Sequence, residues 1–360
     1  MPSENHLPYL LIRADANTKI GIGHVMRCLA LAQSWRSAGG RAEFIGHCEN
    51  PAICARIESQ GFGFTPLTNP YPDKSDPANT LKRLEFLAGT HSRNPWIVVD
   101  GYQFDGTYQK TLRSSGYPLM VIDDTAHLPH YFADILLNQN INADRLSYNI
   151  NSDAVTLMGT RFVLLRPEFK AWKKWQRRIP DVARKVLITL GGSDPHNVTL
   201  KCINALRRIE KEQFEAMIVV GPYHPKLEQI NRAVKRKRSY CDLVVNPTDM
   251  PDRMAWADVA ISAGGSTNWE LAFMGLPSLI IAMAENQRII CEGMDEIKAM
   301  VYAGSHEVVT EETIASRVLE LCENRQRRTE LREACKAVVD GNGVDRVTNT
   351  MSEMCCIRVP

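Results

Sequence analysis

The stretch VAISAGGSTNWELAFMGLP, residues 259–277, decides the fold. Val259 to Ser262 is an apolar run of strand length, and Gly264, Gly265, Ser266 and Thr267 interrupt it. A helical segment follows until Gly275 and Pro277 close it, and a second apolar run, Ser278 to Ala282, begins at once. Strand, glycine turn, helix and strand together make the repeating unit of a parallel sheet wrapped by helices. A tight turn with Ser266 as N-cap and Glu270 in solvent is the competing account; it explains the turn but not the completed unit.

Working outward, the same rhythm recurs on both sides. Val186 to Leu190, Ala216 to Val220 and Leu243 to Val245 precede the deciding stretch, and each leads into a helical pattern. Tyr9 to Ile12, Ala42 to Ile45, Trp96 to Val99, Leu119 to Ile122 and Ile135 to Leu137 form an earlier series. Between the two, Pro167, Trp172, Lys173, Lys174, Trp175, Arg177, Arg178 and Pro180 break the pattern. The expected organisation is α/β with two Rossmann-like domains: 1–166, a linker at 167–183, and 184–342. Beyond Val308 the chain reads as helical, ending in a helix at 343–360 for which packing back on the N-terminal domain is one option.

Composition narrows the function classes. With 360 residues, 44% hydrophobic and 23% charged, the chain can bury cores for two domains. A formal charge of +2 supplies no global attraction to nucleic acid or anionic membranes, so an anionic ligand must meet a local site. The basic run Lys235 to Arg238 is read as a solvated helix end. Scattered cysteines without a CxxC pair predict reduced thiols rather than zinc or disulfides. No run reaches the ~18 apolar residues of a membrane span, and Met1 to Pro8 has no signal-peptide pattern, so a cytoplasmic location is expected. Nothing implies an obligate protein partner.

Three glycine loops at strand ends carry the chemistry. Gly264 and Gly265, followed by Ser266 and Thr267 at a helix start, read as a cradle for a diphosphate, with Glu270 one turn on to accept from ribose hydroxyls. Gly191, Gly192 and Ser193, followed by Asp194 and Pro195, form a second entry that suits either an anion or a simple capping turn. In the first half Arg13 and Asp15 lead to Gly21, Gly23 and His24. Met26 stands where a dinucleotide fingerprint needs its third glycine, which disfavours a nicotinamide cofactor. His24 suits proton removal from water or a hydroxyl, or else caps its loop. Asp100, Tyr102, Asp123, Asp124, Asn286 and Gln287 also follow strands, where site residues and helix caps both occur.

In this order, these motifs and Asp134 to Asn140 resemble one family, the UDP-2,4-diacetamido-2,4,6-trideoxy-β-L-altropyranose hydrolases of pseudaminic acid biosynthesis. The resemblance spans roughly residues 9–300 and departs at Ala16, Asn17 and Gly101. It implies a GT-B fold with an interdomain cleft, similar to the transferase that adds N-acetylglucosamine to the peptidoglycan lipid precursor. It implies UDP held mainly by the second domain and inverting attack of water at the anomeric carbon, without metal or other cofactor. A histidine matching His24 is implied as the base or water-orienting group, with Tyr102 and Asn286 lining the sugar. Arg13, Asp15, Gly21, Gly23, Gly191, Gly192, Ser193, Gly264, Gly265, Ser266, Thr267, Glu270 and Gln287 are expected around the substrate. Two other readings remain: a GT-B glycosyltransferase in which His24 deprotonates an acceptor, and a non-catalytic nucleotide-sugar binding protein.

Overall fold

Short runs of Val, Ile and Leu become strands because both faces of a parallel sheet are covered by helices. A computed structural model describes residues 7–17, 22–91, 93–192, 194–209, 214–221, 224–235 and 241–357. The chain divides into two compact units, Met1–Pro167 with Asn342–Pro360, and Glu168–Gly341.

In the first unit the elements are β1 (Tyr9–Ala14), α1 (Gly23–Ser37), β2 (Arg41–Gly46), α2 (Pro51–Ser59), β3 (Gly63–Pro66), α3 (Asp76–Ala88), β4 (Trp96–Asp100), α4 (Gly106–Ser114), β5 (Leu119–Ile122), β6 (Ile135–Asn138) and β7 (Val155–Met158). The strands form one parallel sheet in the order β3-β2-β1-β4-β5-β6-β7. The order reverses between β1 and β4, whose ends pair Ala14 with Asp100. At such a switch point the two following loops part and leave a crevice at the carboxyl edge.

The second unit contains β8 (Lys185–Thr189), α5 (Val198–Arg208), β9 (Glu215–Val220), α6 (Leu227–Lys235), β10 (Cys241–Val245), α7 (Met250–Trp256), β11 (Val259–Ala263), α8 (Thr267–Phe273), β12 (Ser278–Ala282), α9 (Glu285–Glu296), β13 (Val301–Ser305), α10 (Glu311–Glu323) and α11 (Arg325–Val338). Its parallel sheet runs β10-β9-β8-β11-β12-β13 and reverses between β8 and β11, at the Gly191 and Gly264 loops.

Two buried arginines pin the opening segment of this unit. Arg177 donates to the carbonyls of Met254 (2.6 Å), Met274 (3.1 Å) and Ala257, and burial pulls its guanidinium down to about 10. Arg328 donates to Leu321 and Cys322 at 2.6 Å and to Pro180 at 2.5 Å. Carbonyls at helix ends accept readily from cations because their own helical donors are missing. The final helix, α12 (Gly343–Ile357), packs in the first unit, with Val344, Val347 and Met351 in its core and Thr348 Oγ1 3.0 Å from Ser34 Oγ.

Candidate functional site

The switch point of the first unit brings His24 and Asp100 together. His24 is the second residue of α1, and Asp100 ends β4. The His24 Nδ1 lies 2.6 Å from Asp100 Oδ1. Arg27, one turn along α1, grips the same carboxylate through Nε and Nη2, both at 2.6 Å, and Cys28 Sγ adds a contact at 3.3 Å. Burial would push the Asp100 carboxyl up; the charges of Arg27 and His24 outweigh it and hold Asp100 well below the usual carboxylate range.

The tautomer of His24 follows from this. An ionised carboxylate only accepts, so Nδ1 carries the hydrogen it shares with Asp100, and Arg27 Nη2, 3.3 Å from Nδ1, bonds the carboxylate instead. Nε2 is therefore the basic nitrogen. His24 is oriented by a strand-end aspartate rather than by capping its own loop, and it presents an acceptor for a proton.

The network continues to Tyr102. Arg27 Nη1 bonds both oxygens of Asp124, at 3.0 and 2.8 Å, and the Tyr102 hydroxyl donates to Asp124 Oδ2 at 2.9 Å. The Tyr102 ring meets that of His24 edge to face, with centroids 5.0 Å apart. The sequence marks Asp100 and Asp124 only as strand-end acids, and it gives no sign of Arg27, which looks like a solvated helix charge.

Arg13 and Asp15 stand differently. Both are wholly buried and paired with each other, and Arg13 also bonds Asp76, whose Oδ1 lies 3.1 Å from Arg13 Nε. Asp15 also accepts from the His47 amide at 2.7 Å and Gln103 Nε2 at 3.0 Å. These residues hold the loop bases together instead of facing a ligand. Gly23 begins α1 with nothing within 4 Å of a would-be Cβ; Gly21 and Ser193 lie outside the described residues.

In the second unit the glycines divide by role. A Cβ on Gly264 would come 2.4 Å from Cys291 Sγ and 3.0 Å from Gln287 Cβ, so the missing side chain admits α9. Gly265 is unobstructed, with only Gln287 Nε2 near, at 3.7 Å. Ser266 is exposed and makes no side-chain cap bond, which leaves its hydroxyl available. Thr267 and Glu270 are partly exposed on the same short helix, whereas Asn268 is fully buried with neither amide atom hydrogen-bonded. Gln287 Oε1 accepts from the Met283 amide at 3.0 Å and fixes the start of α9, where Asn286 is exposed.

In the third loop the helix start carries a protein cap. Asp194, buried and with φ +35°, accepts from the amides of Val198 (2.9 Å) and Thr199 (2.8 Å). A carboxylate of the protein thus caps the helix start that follows Gly191 and Gly192, the capping turn that the sequence allowed beside an anion entry. Gly191 is required by its own φ of +88°, and the Gly192 carbonyl packs 2.0 Å from a would-be Cβ on Gly221.

Comparison with known proteins agrees with this architecture. Residues 186–343 match the profile of the Glycosyltransferase family 28 C-terminal domain. A Helicobacter pylori protein named "Pseudaminic acid cytidylyltransferase and UDP-2,4-diacetamido-2,4,6-trideoxy-beta-L-altropyranose hydrolase" is 26% identical over 290 residues, 80% of this chain and 47% of that one. The Campylobacter jejuni UDP-2,4-diacetamido-2,4,6-trideoxy-beta-L-altropyranose hydrolase is 23% identical over 229 residues, 63% of this chain and 74% of that one. The crystal structure of Acinetobacter baumannii MurG superposes with a TM-score of 0.67 at 16% identity, covering 96% of this chain and 100% of that one. The chain spans 56% and 66% of the length of two further curated relatives. The fold is therefore GT-B, and homologues at 23–26% identity carry the hydrolase name anticipated from the motifs.

Proposed function

We propose that this chain hydrolyses UDP-2,4-diacetamido-2,4,6-trideoxy-β-L-altropyranose to UDP and the free sugar, as a step of pseudaminic acid biosynthesis. The GT-B fold and the hydrolase-named homologues support an enzyme that uses a UDP-sugar. The observation that carries the finer reading is the Asp100-held His24 with its basic Nε2 at the switch point of the first sheet.

In this reading Nε2 takes a proton from water as the water oxygen forms its bond to the anomeric carbon. The C–O bond to UDP breaks, its electron pair leaves with the diphosphate, and the anomeric configuration inverts. Asp100 stabilises the imidazolium as it forms. UDP is a good leaving group and asks for anion stabilisation more than for a protonating acid. The backbone at Gly265, unobstructed where a Cβ would stand, and the hydroxyls of Ser266 and Thr267 are suited to that task, with Glu270 on the ribose. Tyr102 and Asn286 contact the sugar.

The family 28 match favours one second reading, in which His24 deprotonates an acceptor hydroxyl and the chain is a glycosyltransferase. UDP release decides between them, measured with and without acceptor alcohols and with His24→Ala alongside. The hydrolase reading expects release from the diacetamido sugar nucleotide without acceptor, a loss of about 10²- to 10⁴-fold in kcat for the variant, and unchanged UDP affinity. Release that requires an acceptor would move the assignment to the transferase.

No helix among the described residues is long and apolar enough to cross a membrane. We infer that the reaction takes place in the cytoplasm, where UDP-sugars are made and used.

A further inference from the structure

Between α5 and α6 the second unit has a groove of about 310 Å³, lined by Leu200, Asn204, Arg207, Gln229, Arg232 and Ala233. Asn204 and Arg207 belong to the later turns of α5, which returns the chain from the carboxyl edge of the sheet toward its amino edge. Arg207 stands roughly 13 Å along the helix from its start at Val198, so the charged end of the groove is separate from the Gly191 and Gly265 loops.

The cations of this groove are unmatched. Arg207 donates through Nη1 to Asn204 Oδ1 (3.1 Å) and through Nη2 to the Ala233 carbonyl (2.6 Å), which fixes the guanidinium between the helices. Its Nε is buried and has no partner. Capping the end of α6 accounts for the bond to Ala233, and for neither the Nε donor nor the charge. Arg232 bonds the Glu228 carbonyl, one turn back, at 3.4 Å. The neighbouring Arg208 shows the ordinary solution, pairing with Glu311 at 3.1 Å and Glu312 at 2.8 Å. Among the described residues no carboxylate pairs with Arg207 or Arg232.

We propose that this groove is a second anion site, which takes a phosphate group as inorganic phosphate or as a small phosphate monoester. A guanidinium has five N–H donors, of which Arg207 gives two to protein acceptors. Two arginines from separate helices bring two positive charges to one groove, which matches a phosphate dianion better than a single carboxylate. Gln229, whose Oε1 accepts from Asn197 at 3.4 Å, keeps its amide hydrogens to donate to the rest of an ester, and Leu200 offers it an apolar contact. The volume stands at the small end of ligand pockets, which begin at about 300 Å³ and suit a compact phosphate compound there.

The test titrates the full chain with inorganic phosphate, and separately with glucose 6-phosphate, while proton–nitrogen NMR follows the arginine Nε–H signals. Those of Arg207 and Arg232 should shift saturably, and that of Arg208, already paired, should stay in place. Tighter binding of glucose 6-phosphate would identify the ligand as a monoester; equal or weaker binding would identify it as free phosphate. Arg232→Gln, at an exposed position, should weaken phosphate binding about tenfold and leave the melting temperature and UDP affinity as in wild type. Shifts that sodium chloride reproduces at equal ionic strength would overturn the site, as would phosphate binding unchanged in Arg232→Gln. Neither outcome depends on whether the chain turns over a sugar nucleotide.

Discussion

The two sheets share a topology, and each reverses its strand order at one point, yet their crevices are furnished in opposite ways. In the first unit a buried chain of charges, Asp124–Arg27–Asp100–His24, lines the edge. In the second, the corresponding loops carry glycines, hydroxyls and an aspartate already bonded to its own helix. The first arrangement orients one imidazole and biases its proton; the second leaves backbone and hydroxyl donors for an anion. In the proposed function, one architecture supplies a base and a cradle according to which residues follow its strands.

The sharpest way to break this contrast is at Asp100. Asp100→Asn keeps the shape and removes the charge that fixes the His24 tautomer, so kcat should fall by about 10²- to 10⁴-fold while UDP affinity stays put. A variant as active as wild type would reduce the pair to a structural contact. Next comes Arg27→Met, which strands Asp100 and Asp124 without their shared cation. Thermal unfolding followed by circular dichroism should show a loss of about 3–5 kcal/mol, and an unchanged melting point would contradict the network.

On the second unit the expected effects shrink. Gly264→Ala drives a methyl against Cys291 and Gln287, an overpacking worth about 1–3 kcal/mol in denaturant titration. A neutral result would return Gly264 to the ligand-facing role expected from the sequence. Asp194→Ala removes the cap of α5 and should cost about 1 kcal/mol, with UDP affinity little changed; a large drop in affinity instead would revive the third loop as part of the cradle. Ser266→Ala should leave stability within about 0.5 kcal/mol, since no cap bond is lost, and weaken UDP binding in calorimetry. Destabilisation without any change in affinity would favour the capping turn.

Much of the fold is legible in the sequence because interior strands are apolar on both faces. The runs at Trp96 to Val99 and Ser278 to Ala282 lie within or match the strands β4 and β12, which are buried at every position. The strands with no such signal, β3, β7 and β13, are the edge or near-solvent ones, half-exposed and polar in part, so their residues do not announce a strand. The site divides along the same line. His24, Gly265 and Ser266 stand out by type and by position after a strand. Arg27 does not, because its partners Asp100 and Asp124 are 73 and 97 residues away in sequence.

What the sequence determined by itself is the repeating strand–loop–helix unit and the loops where chemistry can sit, since both are set by local pattern and by glycine placement. What only the tertiary structure decided is the duty of each residue within those loops. Gly264 serves helix packing, Asp194 answers α5, Arg13 is held between Asp15 and Asp76, and His24 receives its tautomer from a strand that arrives 76 residues later. The physical reason is that burial and hydrogen-bond geometry depend on through-space neighbours, and a parallel sheet draws those neighbours from distant parts of the chain.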